Sequence, residues 1–103
     1  MNDPAAAPLI VRRDSHSRFE TEIEGLLAVI DYRIQGQQVL LSSVRVPPAL
    51  EGRGVAAALT RAALEWAREQ SMTVVPICSY VVAWLKRHPE FNDLLVPAPT
   101  GRT

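Results

Sequence analysis

The sequence predicts an α+β domain: an antiparallel meander of strands, then a helix, one more strand and a second helix. Three observations carry that reading. Residues 18–46 hold alternating or β-branched runs separated by glycine-bearing turns. Residues 54–70 are alanine-rich and repeat apolar positions at spacings of three and four, the period of an amphipathic helix. A short apolar run at 72–77 then precedes a second helical pattern.

The elements follow in order. Residues 1–8 are rich in proline and alanine and read as a frayed end. Residues 9–13 form a short first strand. Arg18, Phe19, Glu20, Thr21, Glu22 and Ile23 alternate polar with apolar, as a half-buried strand does. Gly25 marks a turn, residues 26–34 continue as a strand, and Gln35, Gly36 and Gln37 make a hairpin turn in which glycine takes a positive φ. Residues 39–46 are the next strand, and Pro47 and Pro48 end it because proline cannot donate to a ladder. The helix after Gly54 buries Val55, Leu59, Ala62, Ala63 and Trp66, while Arg61, Glu65, Arg68 and Glu69 form its solvated face. Residues 79–88 are the second helix, with Val81, Val82, Trp84 and Leu85 as its apolar positions, Ser79 as its cap and Pro89 as its stop. Residues 90–103 read as a tail, loose after Leu95 and flexible over 97–103.

The 103 residues make one domain, spanning 1–103. Eleven basic residues balance eleven acidic ones, which argues against a general electrostatic hold on nucleic acid or an anionic membrane. One cysteine, Cys78, excludes an internal disulfide, and with two histidines it is too few for a zinc site of nitrogen and sulfur ligands. The chain has neither a membrane span nor a signal peptide pattern, so it reads as soluble and cytoplasmic.

The segment from Val44 to Leu59 is the most informative. A strand ends, Gly52 and Gly54 follow, and a helix begins with the small residues Ala56 and Ala57. The first turn of a helix has unpaired N–H groups and the positive end of the dipole. Glycines and alanines let an anion come close, so the arrangement suits a phosphate or pyrophosphate. The same residues also suit a plain tight turn. The ending of a Walker A loop is missing, and the preceding meander does not fit a dinucleotide fingerprint.

Val46, Pro48, Gly52, Gly54 and Ala56 stand in the register of motif A of the GNAT superfamily of acyl-CoA N-acyltransferases, which this stretch resembles. Glu51 departs from the arginine or glutamine usual there. Further on, Pro76 and Cys78, then Arg87, His88, Pro89, Glu90 and Phe91, resemble a group of short stand-alone GNAT-like domains. Together the segments cover about residues 18–96. The resemblance implies a GNAT-like fold that binds acetyl-CoA or coenzyme A. Pyrophosphate would rest on the amides of Arg53, Gly54, Val55, Ala56 and Ala57, and pantetheine would lie along the strand at Val44 and Val46. Arg53 either adds charge to a phosphate or is a solvated loop arginine.

Cys78 falls where a strand ends and a helix begins, a place that favours a thiolate. More typical relatives carry a tyrosine acid seven residues further on, where this chain has Leu85. Cys78 is therefore the candidate catalytic group, as the acid for the coenzyme thiolate or as a nucleophile, with a buried structural thiol as the alternative. His88 is the candidate general base, or else it caps the helix. Tyr80 either reaches the site or packs elsewhere. Glu20, Glu22 and Glu24 either attract a cationic amine or form a solvated face. The function expected is acetyl-CoA-dependent N-acetyl transfer, assisted by Cys78, to an amine on a protein or small molecule. The alternative is a non-catalytic coenzyme A-binding or protein-interaction module. Neither involves nucleic acid, membrane or metal.

Overall fold

The computed structural model describes residues 8–95. The flexible ends expected at 1–8 and 97–103 therefore lie outside the described residues, apart from Pro8. Five strands form one sheet in the order β1 (Val11–Arg13), β2 (Arg18–Ile23), β3 (Leu26–Gln35), β4 (Gln38–Arg45) and β5 (Thr73–Pro76). The first four are an antiparallel meander, and β5 runs parallel to β4. Helix α1 (Val55–Glu69) makes that parallel crossover, and α2 (Ser79–Lys86) follows β5. The α+β, GNAT-like order expected from the sequence is the order observed.

Local chemistry sets the hairpins. Glu24 and Gly25 join β2 to β3 with φ of 55° and 79°, the pair of left-handed residues whose twist suits a two-residue hairpin. Alternation then sends Phe19 and Thr21 of β2, Ala28, Ile30 and Tyr32 of β3, and Val39 and Leu41 of β4 into the interior. Thr21 is buried with its hydroxyl satisfied, donating to the Leu9 carbonyl at 2.7 Å.

Helix α1 closes this core with a broader stripe than its spacing predicts. Val55, Leu59 and Ala63 are buried as expected, and so are Thr60, Leu64 and Ala67, because α1 meets the C-terminal turn as well as the sheet. Ala62 and Trp66 are only half-buried. Trp66 forms an aromatic cluster with Phe19 and Tyr32, at centroid distances of 5.6 and 5.3 Å, under the Arg12 guanidinium.

The second helix departs from expectation at both ends. Ser79 does not cap it: Cys78 is the N-cap residue, its carbonyl accepting the Val82 N–H at 3.1 Å, and no side chain caps the helix. The helix stops at Lys86, where the N–H groups of Arg87 and His88 tighten onto the carbonyls of Trp84 and Leu85. Pro89–Leu94 then forms a 3-10 turn that buries Phe91 and Leu94. Arg68 ties this turn to α1 through Asp93 Oδ1 at 2.6 Å and the Glu90 carbonyl at 3.0 Å.

One polar cluster links stability to pH. Asp31 on β3 accepts two hydrogen bonds from Arg45, both at 3.0 Å, and one from Ser43 at 2.6 Å. Burial pushes its carboxyl up, but the hydrogen bonds of Arg45 and Ser43 and the charges of Arg45 and Arg18 outweigh burial and hold it below the ordinary value. Its value is lower folded than unfolded. Its contribution is therefore present above the usual carboxylate range and is lost as pH falls through the folded value. Urea midpoints measured from about pH 6 down to pH 2 should fall more steeply for the wild type than for Asp31→Asn. Parallel curves would mean that Asp31 contributes nothing to acid unfolding.

Candidate functional site

Strands β4 and β5 pair over only four residues each, from Gln38↔Thr73 to Leu41↔Pro76. At that point the Leu41 carbonyl accepts both the Ile77 and Cys78 N–H groups, each at 3.0 Å. Between Leu41 and Ser43 the register with β3 shifts, since Tyr32 faces Leu41 and Asp31 faces Ser43, leaving Ser42 as the extra residue of a β-bulge. Beyond the bulge β4 remains paired to β3 while β5 has ended. Among the described residues the β4 edge from Ser42 onward therefore has no strand paired on its β5 side.

A cavity of about 430 Å³ lies beside the end of β4. Val44 and Val46 form one wall, the loop residues Leu50, Glu51, Gly52 and Gly54 lie at its end, Val55, Ala56 and Ala57 come from the first turn of α1, and Tyr80 comes from α2. Leu50 is fully buried and pins the loop to the core. Gly52 and Gly54 have φ of 79° and 80°, and a Cβ at either would meet no atom within 4 Å. Glycine is needed there for its backbone conformation rather than for space.

The loop delivers α1 with its first N–H groups free. The first intrahelical bond runs from the Ala58 N–H to the Gly54 carbonyl at 3.0 Å, so Val55, Ala56 and Ala57 donate to nothing within the helix. Gly54 is the N-cap and has no side chain to cap them, and no acidic residue occupies the first turn. Free amides, the dipole end and methyl-sized side chains meet at one wall of the cavity, which is the chemistry of an anion site.

The expected site residues divide into those on the cavity and those away from it. Val44, Val46, Gly54, Val55, Ala56 and Ala57 line it. The Arg53 guanidinium instead holds Glu24 through hydrogen bonds of 3.0 and 3.3 Å, which pull the Glu24 carboxyl below its ordinary value. Glu20 is engaged by Arg13 and Arg18, both at 2.9 Å. Cys78 is half-buried at the vertex where β5 gives way to α2, its N–H on the Leu41 carbonyl, and it is not among the residues that line the cavity. His88 lies past the far end of α2, about 12 Å of helix away. Its ring stacks on Trp84 at 3.6 Å, and its Nδ1 bonds the Trp84 carbonyl at 2.8 Å, the geometry of a helix-end contact. The structure does not bring His88 to the cavity.

Tyr80 does reach the wall. Burial pushes its phenol above the ordinary value; Arg87 opposes this and Cys78 adds to it. It therefore stands at neutral pH as a protonated hydroxyl, able to donate.

Residues 18–94 match the GCN5-related N-acetyl-transferase family. The chain belongs to this family. Among curated relatives it is 31% identical over 86 residues to Protein NATD1 of Mus musculus, covering 80% of this chain and 78% of that protein. The Homo sapiens protein of the same name gives the same identity, with 76% of its length covered. The NMR solution structure of a GCN5-like protein from Staphylococcus aureus superposes with a TM-score of 0.68, covering 92% of this chain and 96% of that one at 22% identity, a likeness of fold. Among the described residues no helix is long and apolar enough to cross a membrane.

Proposed function

We propose that the chain is an acetyl-CoA-dependent N-acetyltransferase whose acceptor is an amine on a protein or small molecule. One observation carries the reading: the open edge of β4, the glycine turn and the bare N-terminus of α1 converge on a single cavity. In this reading the coenzyme pyrophosphate rests on the loop and first-turn amides of residues 53–57. The pantetheine arm pairs with the free backbone of β4 at Val44 and Val46, as an added strand would. The thioester then points to the vertex, beside Cys78 and Tyr80.

The chemistry is a displacement. The neutral acceptor amine forms a C–N bond to the thioester carbonyl carbon, the C–S bond breaks, and the nitrogen releases a proton to water. The departing thiolate takes a proton. Cys78 supplies it, or carries the acetyl group transiently as a thioester of its own. Tyr80 is the second source, favoured by its place on the cavity wall. His88 has no part in these steps, since its ring is held on Trp84.

The test is release of free coenzyme A thiol from acetyl-CoA in the presence of polyamines and lysine peptides, with intact-mass detection of acetyl on the acceptor. Acceptor-dependent release supports the reading. Stoichiometric coenzyme binding with no transfer to any amine would instead favour a coenzyme-binding module.

A further inference from the structure

The cavity has an unbalanced rim. Among the described residues its lining side chains include one carboxylate, Glu51, and no cation. An acyl-coenzyme is a polyanion, and the free amides of α1 supply only partial charges. Two cations flank lining residues in the chain: Arg45, between Val44 and Val46, whose guanidinium is held by Asp31, and Arg53, between Gly52 and Gly54 in the loop itself.

Arg53 already has a partner. Its guanidinium forks onto both carboxylate oxygens of Glu24, at 3.0 and 3.3 Å, across 29 residues of sequence. Glu24 sits in the β2–β3 turn with a left-handed φ of 55°, and that turn aims its carboxylate at the glycine loop. Both side chains stay in water, with 44% and 65% of their surface exposed. Breaking such a pair strands neither charge in an apolar place, so the partner can be exchanged at little cost. A guanidinium fork fits a phosphate as well as it fits a carboxylate. The loop around Arg53 is open, since even a Cβ at Gly52 or Gly54 would meet no atom within 4 Å.

We propose that Arg53 is a phosphate-receiving side chain held in reserve by Glu24, and that Glu24 sets coenzyme affinity by competing with the coenzyme phosphates for the guanidinium. The proposal rests on the acyl-coenzyme reading of the cavity. On binding, a phosphate oxygen replaces the Glu24 oxygens on Arg53, and Glu24 returns to water with its charge intact. No bond other than hydrogen bonds changes. Glu24 costs affinity by occupying the guanidinium of the glycine loop.

The experiment is calorimetric titration of coenzyme A and of dephospho-coenzyme A into the wild type, Glu24→Gln, Arg53→Gln and the double variant, at low and physiological ionic strength. Glu24→Gln should bind coenzyme A about three- to tenfold more tightly. Arg53→Gln should bind it more weakly, and Glu24→Gln should have no effect in the Arg53→Gln background. The gain should shrink as salt rises. An equal gain for both ligands assigns the pyrophosphate to Arg53; a gain for coenzyme A alone assigns the 3′-phosphate. Glu24→Asn repeats the charge removal with a residue that accepts the left-handed turn, so a folding defect does not obscure the result. Unchanged or weaker binding by the Glu24 variants, or a gain that persists without Arg53, overturns the proposal while the cavity reading stands. A wild type that takes up no coenzyme A overturns both.

Discussion

Phe91→Ala should lower the stability of the protein by about 3–5 kcal/mol, the usual cost of deleting a buried aromatic ring. For a domain of this size that is a fall in melting temperature on the order of 20 °C. Phe91 is 2% exposed, lies 5.7 Å from the Trp84 ring, and carries the guanidinium groups of Arg61 and Arg68 at 5.4 and 5.0 Å. Alanine leaves a cavity where α1, α2 and the 3-10 turn meet, and it removes the surface on which both arginines rest. Phe91→Leu fills most of that space and should lose much less. Thermal unfolding followed by circular dichroism decides the point. A Phe91→Ala melting temperature within a few degrees of wild type would mean that the turn is not part of the core.

Phe91 also marks where sequence reading stops. The strands were legible because alternation over six or more residues is a long enough signal, and β2 has the bounds its pattern predicts. A 3-10 turn of six residues has no repeat to detect, so Phe91 and Leu94 read as tail. The extra buried face of α1 at Thr60, Leu64 and Ala67 depends on that same turn, and so was invisible with it. At the site, the glycines and alanines of the loop were legible because their physical requirements are local. Partners distant in sequence were not. Arg53 looks alike in sequence whether it meets a phosphate or Glu24, and His88 before a proline looks alike as a base or as a helix-end contact. The three-dimensional placement puts Arg53 on Glu24 and the His88 ring on Trp84.

Cys78→Ala should reduce acetyl turnover by about 10²-fold, the scale of a lost general acid, with coenzyme affinity unchanged. Cys78 stands between β5 and α2 and is not among the cavity residues proposed to hold pyrophosphate and pantetheine, so its removal should act on the chemical step rather than on binding. Cys78→Ser separates the two roles. Partial recovery of turnover points to proton delivery, whereas a thiol that carries the acetyl group also leaves a cysteine-borne acetyl adduct in rapidly quenched wild-type protein. Tyr80→Phe is the companion measurement, because it keeps the ring on the cavity wall and removes only the hydroxyl. Wild-type turnover in Cys78→Ala together with loss in Tyr80→Phe would move the proton to the phenol, which burial pushes further above its ordinary value. Wild-type turnover in both would remove α2 from the chemistry.

The open β4 edge and the glycine turn act as a coenzyme site only if coenzyme A binds the native state in preference to the unfolded chain. A titration with coenzyme A, read as melting temperature against ligand concentration, measures that preference directly. A ligand at 100 times its dissociation constant adds about 2.7 kcal/mol to the native state. For this chain that is a rise on the order of 10 °C, growing with the logarithm of concentration. A melting temperature unmoved by millimolar coenzyme A would contradict the assignment of this cavity.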